Sequence, residues 1–576
     1  MTSSIRTRRR PGVLIGAVAI AFGLVAAACG GDDGGSSSGG GETTAAPAET
    51  TAPAPATQPP ADDDTPVPGG KMVFGLEADT ASPWTPADMT CAVSCHMVAR
   101  TVYDSLMVPG ADNVPHPYLA ESMTPNDDYT EWRITARSGV KFHDGTDFDG
   151  AAIVDNLTRA QGSFLVGSAL LDVDTVTLDP ADPMTAIVTT KRPWATFPWF
   201  VTGQAGYMAS PTWLAAVDGD AALAAKPVGT GPFTFVDYKP NEFYKGAKNA
   251  DYWNAPYPYL DEIEFIPIND ALKRRDALKA GDIDALHLTN GEAITEFRDS
   301  DEFSTIEITK NGETAYTLLH VTKEGSAIAD SRVRCALAYA SDSATTNEVV
   351  SFGVNQLANG PFSPDQVGYL EDSGYPLVQD MAKAQELIAE YKAENPGDLK
   401  IALATTTDAT NLVIANYQKG WWEEAGVDEV TIDQIDQGNY IVTALLGNFE
   451  VFQWRNHGGV DLDQQFFWWH SSAALPVGAL ALNFGRIKDA NLDALLEENR
   501  GTLDPVRKKE IAEEVNRLFA TECYNLWGSY TIWMVAGKPE FKGYAAANLI
   551  LPDGTPALEG SGIAGTFYMA TVWKGN

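Results

Sequence analysis

From residue 71 onward, apolar positions recur along the chain with two different periods. Alternation with period two places successive side chains on opposite faces of a strand, and it marks Trp132–Ala136, Leu171–Val176 and Thr185–Thr190. Lys71–Leu76 (KMVFGL), Ile263–Ile268, Lys400–Ala404, Glu429–Ile435 and Gly447–Trp454 (GNFEVFQW) also read as strands. Spacing of three and four residues predicts helices at Ala151–Ala160, Asp270–Ala280, Ser331–Ala340, Met381–Glu394 and Pro505–Ala520. Gly281-Asp282 supplies the turn after the second of these. Strands and helices are interspersed without an internal repeat, which predicts a mixed α/β architecture.

The first seventy residues follow neither period. Arg6, Arg8, Arg9 and Arg10 precede the apolar run Pro11–Ala28, the pattern of a secretory signal. It ends at Ala26-Ala27-Ala28-Cys29-Gly30, which resembles a bacterial lipobox with Ala26 where Leu is usual. Cys29 is therefore expected to be the lipidated first residue of the mature chain, exported by either the general or the twin-arginine route. Gly30–Gly70 is almost wholly Gly, Ser, Thr, Ala, Pro, Asp and Glu and reads as a disordered tether. These segments place the folded part outside the cell membrane, anchored to its outer face in a periplasmic-type space.

At 576 residues and 44% hydrophobic content the chain exceeds one core, so two or three domains are expected. Its formal charge of −37 opposes nucleic-acid binding, because phosphate would meet a repulsive field. Cys91 and Cys95, in CAVSC, have no neighbouring ligand set for zinc and are a disulfide candidate in an oxidising exterior. Cys335 and Cys523 read as either a pair or two buried thiols.

Several chemical-looking motifs resolve to structure. Gly560–Gly565 is a literal G-x-G-x-x-G, but no βαβ unit follows it. Gly229 and Gly231 in PVGTGPF lack the Lys-Ser/Thr continuation of a phosphate cradle and read as a tight turn. His143-Asp144 in HDGT also reads as a turn, Lys273-Arg274-Arg275 as a solvated helix face, and PWATFPWF (193–200) as core aromatics. Beyond residue 70 no H-E-x-x-H or G-x-S-x-G is present, and neither cofactor nor metal is expected.

Leu119–Arg159, with GVKFHDGT at its centre, resembles the signature of the bacterial peptide-, oligopeptide- and nickel-binding branch of ABC-transporter solute-binding lipoproteins (family 5). PVGTGPF, DYWNAPYPYLDEIEFI (251–266), ALKAGDIDA (277–285), RVRCALAYA (332–340) and Leu492–Phe519 follow in the family's order. The resemblance implies a two-lobed periplasmic-binding-protein clamshell with a third small domain. Lobe one would comprise 71–98, 205–318 and 538–576, the small domain 99–204, and the second lobe 319–537. It also implies capture of a small solute, by default peptide-like, by a monomer that hands it to ABC permease subunits. A cell-wall-peptide hydrolase or transferase and a permease-independent sensory protein are the rival classes.

The most chemical stretch is WRNHGGVDLD, 454–463. In peptide-binding members an Asp three residues after the Trp holds the ligand ammonium; here that place is His457, and Asp461 and Asp463 follow in a shifted register. A carboxylate gives a charge-assisted bond to an ammonium, a neutral imidazole a weaker one. The loop is read as a ligand wall, with a self-satisfied structural loop, metal-chelate recognition including His470, and hydrolysis as alternatives. Candidate ligand contacts are Trp84, His320, Trp454, Arg455, His457, Asp461, Asp463, Trp468 and Arg486. One of the adjacent Trp468 and Trp469 is expected in the core.

Overall fold

The computed structural model describes residues 65–79, 83–456 and 458–575. The predicted leader, the tether up to residue 64, Cys29 and His457 lie outside the described residues. Strand Lys71–Leu76 forms the middle of a seven-stranded mixed sheet and pairs in parallel with Glu262–Pro267 on one side and Ala285–Leu288 on the other. The helix joining those two partners, Ala271–Ala280, starts where Asp270 accepts the Lys273 N–H (3.0 Å). It stops where Gly281 turns left-handed at φ 85°. Within it the expectation of a solvated KRR face fails. Arg274 is buried and donates to the carbonyls of His287 (2.9 Å) and Ile268. Its stem lies under Gly75, where an added Cβ would meet Ile283 Cδ1 at 2.7 Å.

The second sheet has six strands in the order 356–357, 525–530, 314–319, 451–456, 400–406, 429–435. Thr314–Leu319 lies inside it, whereas Trp533–Gly537 lies inside the first sheet. The chain therefore crosses between the sheets at 309–313 and at 531–532. The boundary expected at 318/319 falls inside a paired strand, and the one at 537/538 puts Trp533–Gly537, a strand of the first sheet, with the second lobe. The strand expected from Gly447 begins at Val451, because Gly447 instead ends the preceding helix at φ 70°.

A four-stranded antiparallel sheet, 120–125, 131–136, 185–190 and 173–178 in sheet order 1-2-4-3, carries helix Gly150–Gly162 and its own core, to which Trp194, Phe197, Trp199 and Phe200 belong. Two soft motifs meet at its base. The His143 N–H donates to Gly229 O (2.8 Å), and the His143 ring Nε2 stands 2.9 Å from Gly231 O. Asp144 accepts from the Thr146 N–H and the Ser210 hydroxyl, as a turn requires.

Cys91 is bonded to Cys95, and Cys335 to Cys523, resolving the pairing left open for the latter two. The second bond spans 188 residues of sequence. In the chain-entropy account a loop of that length stabilises by on the order of 5 kcal/mol. Cys335→Ser with Cys523→Ser is expected to lower the urea midpoint markedly; an unchanged midpoint would show that the unfolded chain gains nothing from the closed loop.

Candidate functional site

Strand Val451–Asn456 carries apolar Phe452 and Trp454 on one face and polar Gln453 and Arg455 on the other. The apolar face builds an aromatic wall. Trp454 meets Phe484 edge-on at 5.1 Å, Phe484 meets Trp468 edge-on at 5.1 Å, and Tyr440 stacks parallel to Trp454 at 6.0 Å. Trp454 and Trp468 remain half-buried, whereas Trp469 is in the core. The two tryptophans part company on a single helical turn, Phe466–Trp469, not on a strand.

On the polar face, Arg455 reaches away from its own sheet. Its Nε lies 2.8 Å from Glu313, Nη2 is 3.5 Å from Glu77, and Nη1 donates to Thr289 Oγ1 at 3.2 Å. The guanidinium stands 5.3 Å from the centre of the Trp533 ring, whose Nε1 donates to the same Glu313. Glu77 and Thr289 directly follow the parallel strands Lys71–Leu76 and Ala285–Leu288. Arg455 thus pins the second sheet to the carboxyl-terminal edge of the first, the edge at which open α/β sheets hold ligands. Glu77, Thr289 and Glu313 escaped the sequence reading, since no local pattern ties them to residue 455.

Asp461 and Asp463 were expected to face a ligand, and the structure directs both elsewhere. Asp461 lies 2.6 Å from Lys508, and it accepts from the Asp463 N–H (2.9 Å) and Asn499 Nδ2 (3.2 Å). Asp463 is fully buried and accepts from Trp194 Nε1 (2.7 Å), the Thr196 hydroxyl and Arg500 Nε (2.8 Å). Arg500 in turn donates to Asp172 (2.6 Å) and lies over Phe466 at 3.5 Å and Trp194 at 4.2 Å. The acids are thus satisfied by partners up to 269 residues away in sequence.

Three further candidates are also core residues. Trp84 packs between Tyr238 and Tyr244, and its carbonyl accepts from Tyr103. Arg486, at φ 53°, donates to the carbonyls of Asn483 (2.9 Å) and Leu445 (2.7 Å), so its fork is filled by backbone and not by an anion. His320 is 1% exposed against Phe449, and burial pushes its pKa down to about 4. His470 is buried against Phe466, with Nδ1 2.7 Å from the Ser472 hydroxyl. Among the described residues no group of three or more His, Cys, Asp or Glu could hold a metal ion, and no helix is long and apolar enough to cross a membrane.

Residues 114–474 match the family described as bacterial extracellular solute-binding proteins, family 5 (middle). The chain belongs to that family. This family 5 protein is 30% identical over 295 residues to the glutathione-binding protein GsiB of Salmonella paratyphi A, a match covering 51% of this chain and 56% of that one. It thus spans little more than half the length of the curated relatives it matches. Its fold is that of DppA from Helicobacter pylori, solved with the peptide STSA, at 20% identity and TM-score 0.76, covering 88% of this chain and 99% of that one. AgaA from A. tumefaciens R10, solved with agropinic acid, gives the same identity, TM-score and coverage. Both neighbours place the chain in the two-lobed, mixed α/β periplasmic-binding-protein fold.

Two outcomes are expected from these placements. Asp463→Ala, which takes one of two carboxylates from the buried Arg500 and leaves Trp194 Nε1 without its acceptor, should cost about 3 kcal/mol in urea unfolding. His320 and His287, whose pKa burial lowers to about 3, must charge on unfolding, so the protein loses stability as pH falls from about 6.5 toward 4. His320→Leu should make that loss shallower in unfolding curves at pH 6.5 and 4.5; an equal loss would mean that His320 does not contribute.

Proposed function

We propose that the protein is the extracytoplasmic solute-binding component of an ABC importer. It captures a small, peptide-like solute between its lobes and delivers it to a permease. The observation that carries this reading is the seam at Arg455. There a strand of one lobe meets the ligand-binding edge of the other, beside a half-buried wall of Trp454 and Trp468. Half-buried aromatics beside a few polar groups are the lining of a small-molecule cleft. Relatives that bind glutathione and peptide supply the substrate class.

Contacts to the solute are assigned to Trp454, Trp468 and His457. Arg455 is assigned to closure, because its ion pairs join the lobes and a solute that favours the closed state gains from them. With Asp461 and Asp463 committed elsewhere, no acid of the 454–463 loop is left to hold a free ammonium. The solute is therefore held chiefly by stacking and neutral hydrogen bonds. Lipidation at Cys29 tethers the protein to the outer face of the membrane.

Glutathione and a tripeptide set, titrated calorimetrically, test the reading together with small-angle scattering. Binding of one of them should reduce the radius of gyration, and Arg455→Ala should weaken that binding by about tenfold and, because it removes the Arg455 cation from the buried Glu313, also lower the urea midpoint. Absence of binding by every probe would sink the peptide-like assignment. Cys29→Ser should release the protein from membranes, and unchanged retention would refute the anchor.

A further inference from the structure

Behind the aromatic wall the second sheet holds a small cavity of about 20 Å³, enough for about one water. Thr314 and Tyr316 come from the strand beside Val451–Asn456, and Tyr316 sits directly opposite Trp454 in register. Asn525 and Trp527 come from the next strand, with the Trp527 ring 5.3 Å from Tyr316. Gln465 and Trp469 close it from the loop that follows Asp463. The cavity therefore adjoins the wall assigned to the solute, on the same face of the sheet.

Two of its lining residues carry buried polar atoms to which the protein offers no hydrogen-bond partner. They are the acceptor Asn525 Oδ1 and the donor Trp527 Nε1, on side chains that are each 3% exposed. An unmatched buried donor or acceptor costs about 1–3 kcal/mol. The Asn525 orphan is not needed for packing, since Leu would fill the same space without the penalty. No charged side chain lines the cavity. An unmatched donor and an unmatched acceptor on residues of one cavity call for a group that both accepts and donates. A carboxylate would leave Asn525 Oδ1 unpaired, and an ammonium would leave Trp527 Nε1 unpaired. A primary amide has both functions, but on two separate atoms. A hydroxyl has both on one atom.

We propose that this cavity is a specificity pocket for a hydroxyl group of the solute, with Asn525 accepting from it and Trp527 donating to it. The proposal rests on the reading that the cleft holds a solute, and it narrows the class to hydroxyl-bearing peptides or similar neutral compounds. A site built to bond a hydroxyl rejects the analogue that lacks it, because its own polar groups are then left unpaired.

The test compares Ser-Ala-Ala, Ala-Ser-Ala and Ala-Ala-Ser with Ala-Ala-Ala by calorimetry, on wild type, Asn525→Leu and Trp527→Phe. One serine peptide should bind wild type at least tenfold more tightly than Ala-Ala-Ala, and both variants should reduce that ratio to near one. A ratio near one in wild type, or one unchanged in the variants, overturns the pocket while leaving peptide binding intact. If no peptide binds, the peptide reading fails and the melting temperature of Asn525→Leu decides the pocket. A rise or no change supports a residue kept for a solute. A fall of several degrees shows that Asn525 holds a permanent internal water, and the proposal is wrong.

Discussion

Arg500 is a full positive charge held away from water, and much of the described structure is arranged around it. Two carboxylates, Asp463 and Asp172, and the faces of Phe466 and Trp194 enclose its guanidinium. Asp172 and Trp194 come from the region of the four-stranded sheet, whereas Asp463 and Arg500 belong to the lobe built on the six-stranded one. A buried triad of this kind adds little net stability over apolar packing, but it admits one geometry. It joins the two regions directly at Asp463, the last residue of the stretch that begins at Trp454.

That loop has contacts of opposite character at its two ends. Its start carries a half-buried aromatic surface and one arginine paired with the first sheet; its end is locked by buried hydrogen bonds to Trp194 and Thr196. The aromatic surface suits recognition because stacking tolerates different solutes. The charged groups suit geometry because each has a fixed partner. Separating these tasks explains how a loop so rich in charge and histidine leaves its two acids unavailable to a ligand.

The fold was legible in the sequence wherever the controlling interaction was local. Asp270 and Gly281 bound their helix because a cap bond and a left-handed turn act within four residues, and alternation located the strands for the same reason. Family order supplied the clamshell. Of the stretch proposed as the site, only the aromatic cluster was legible. Trp454 and Trp468 could be read because an aromatic cluster beside a strand end is visible in one dimension. The roles of Arg274, Arg486, Asp461 and Asp463 could not, because a polar side chain in sequence looks the same whether it faces water or a distant carbonyl. The Arg455 seam depends on Glu77 and Thr289, brought together only by parallel pairing of strands some two hundred residues apart.

The two crossings between the sheets, at 309–313 and 531–532, make the second lobe a single insertion whose entrance and exit are neighbours. The Cys335–Cys523 bond joins points shortly after the entrance and shortly before the exit. A single backbone cut anywhere between those cysteines leaves both pieces covalently joined. Damage inside the lobe then opens a loop without releasing a fragment, and the strands at either side of the cleft stay attached to the same molecule.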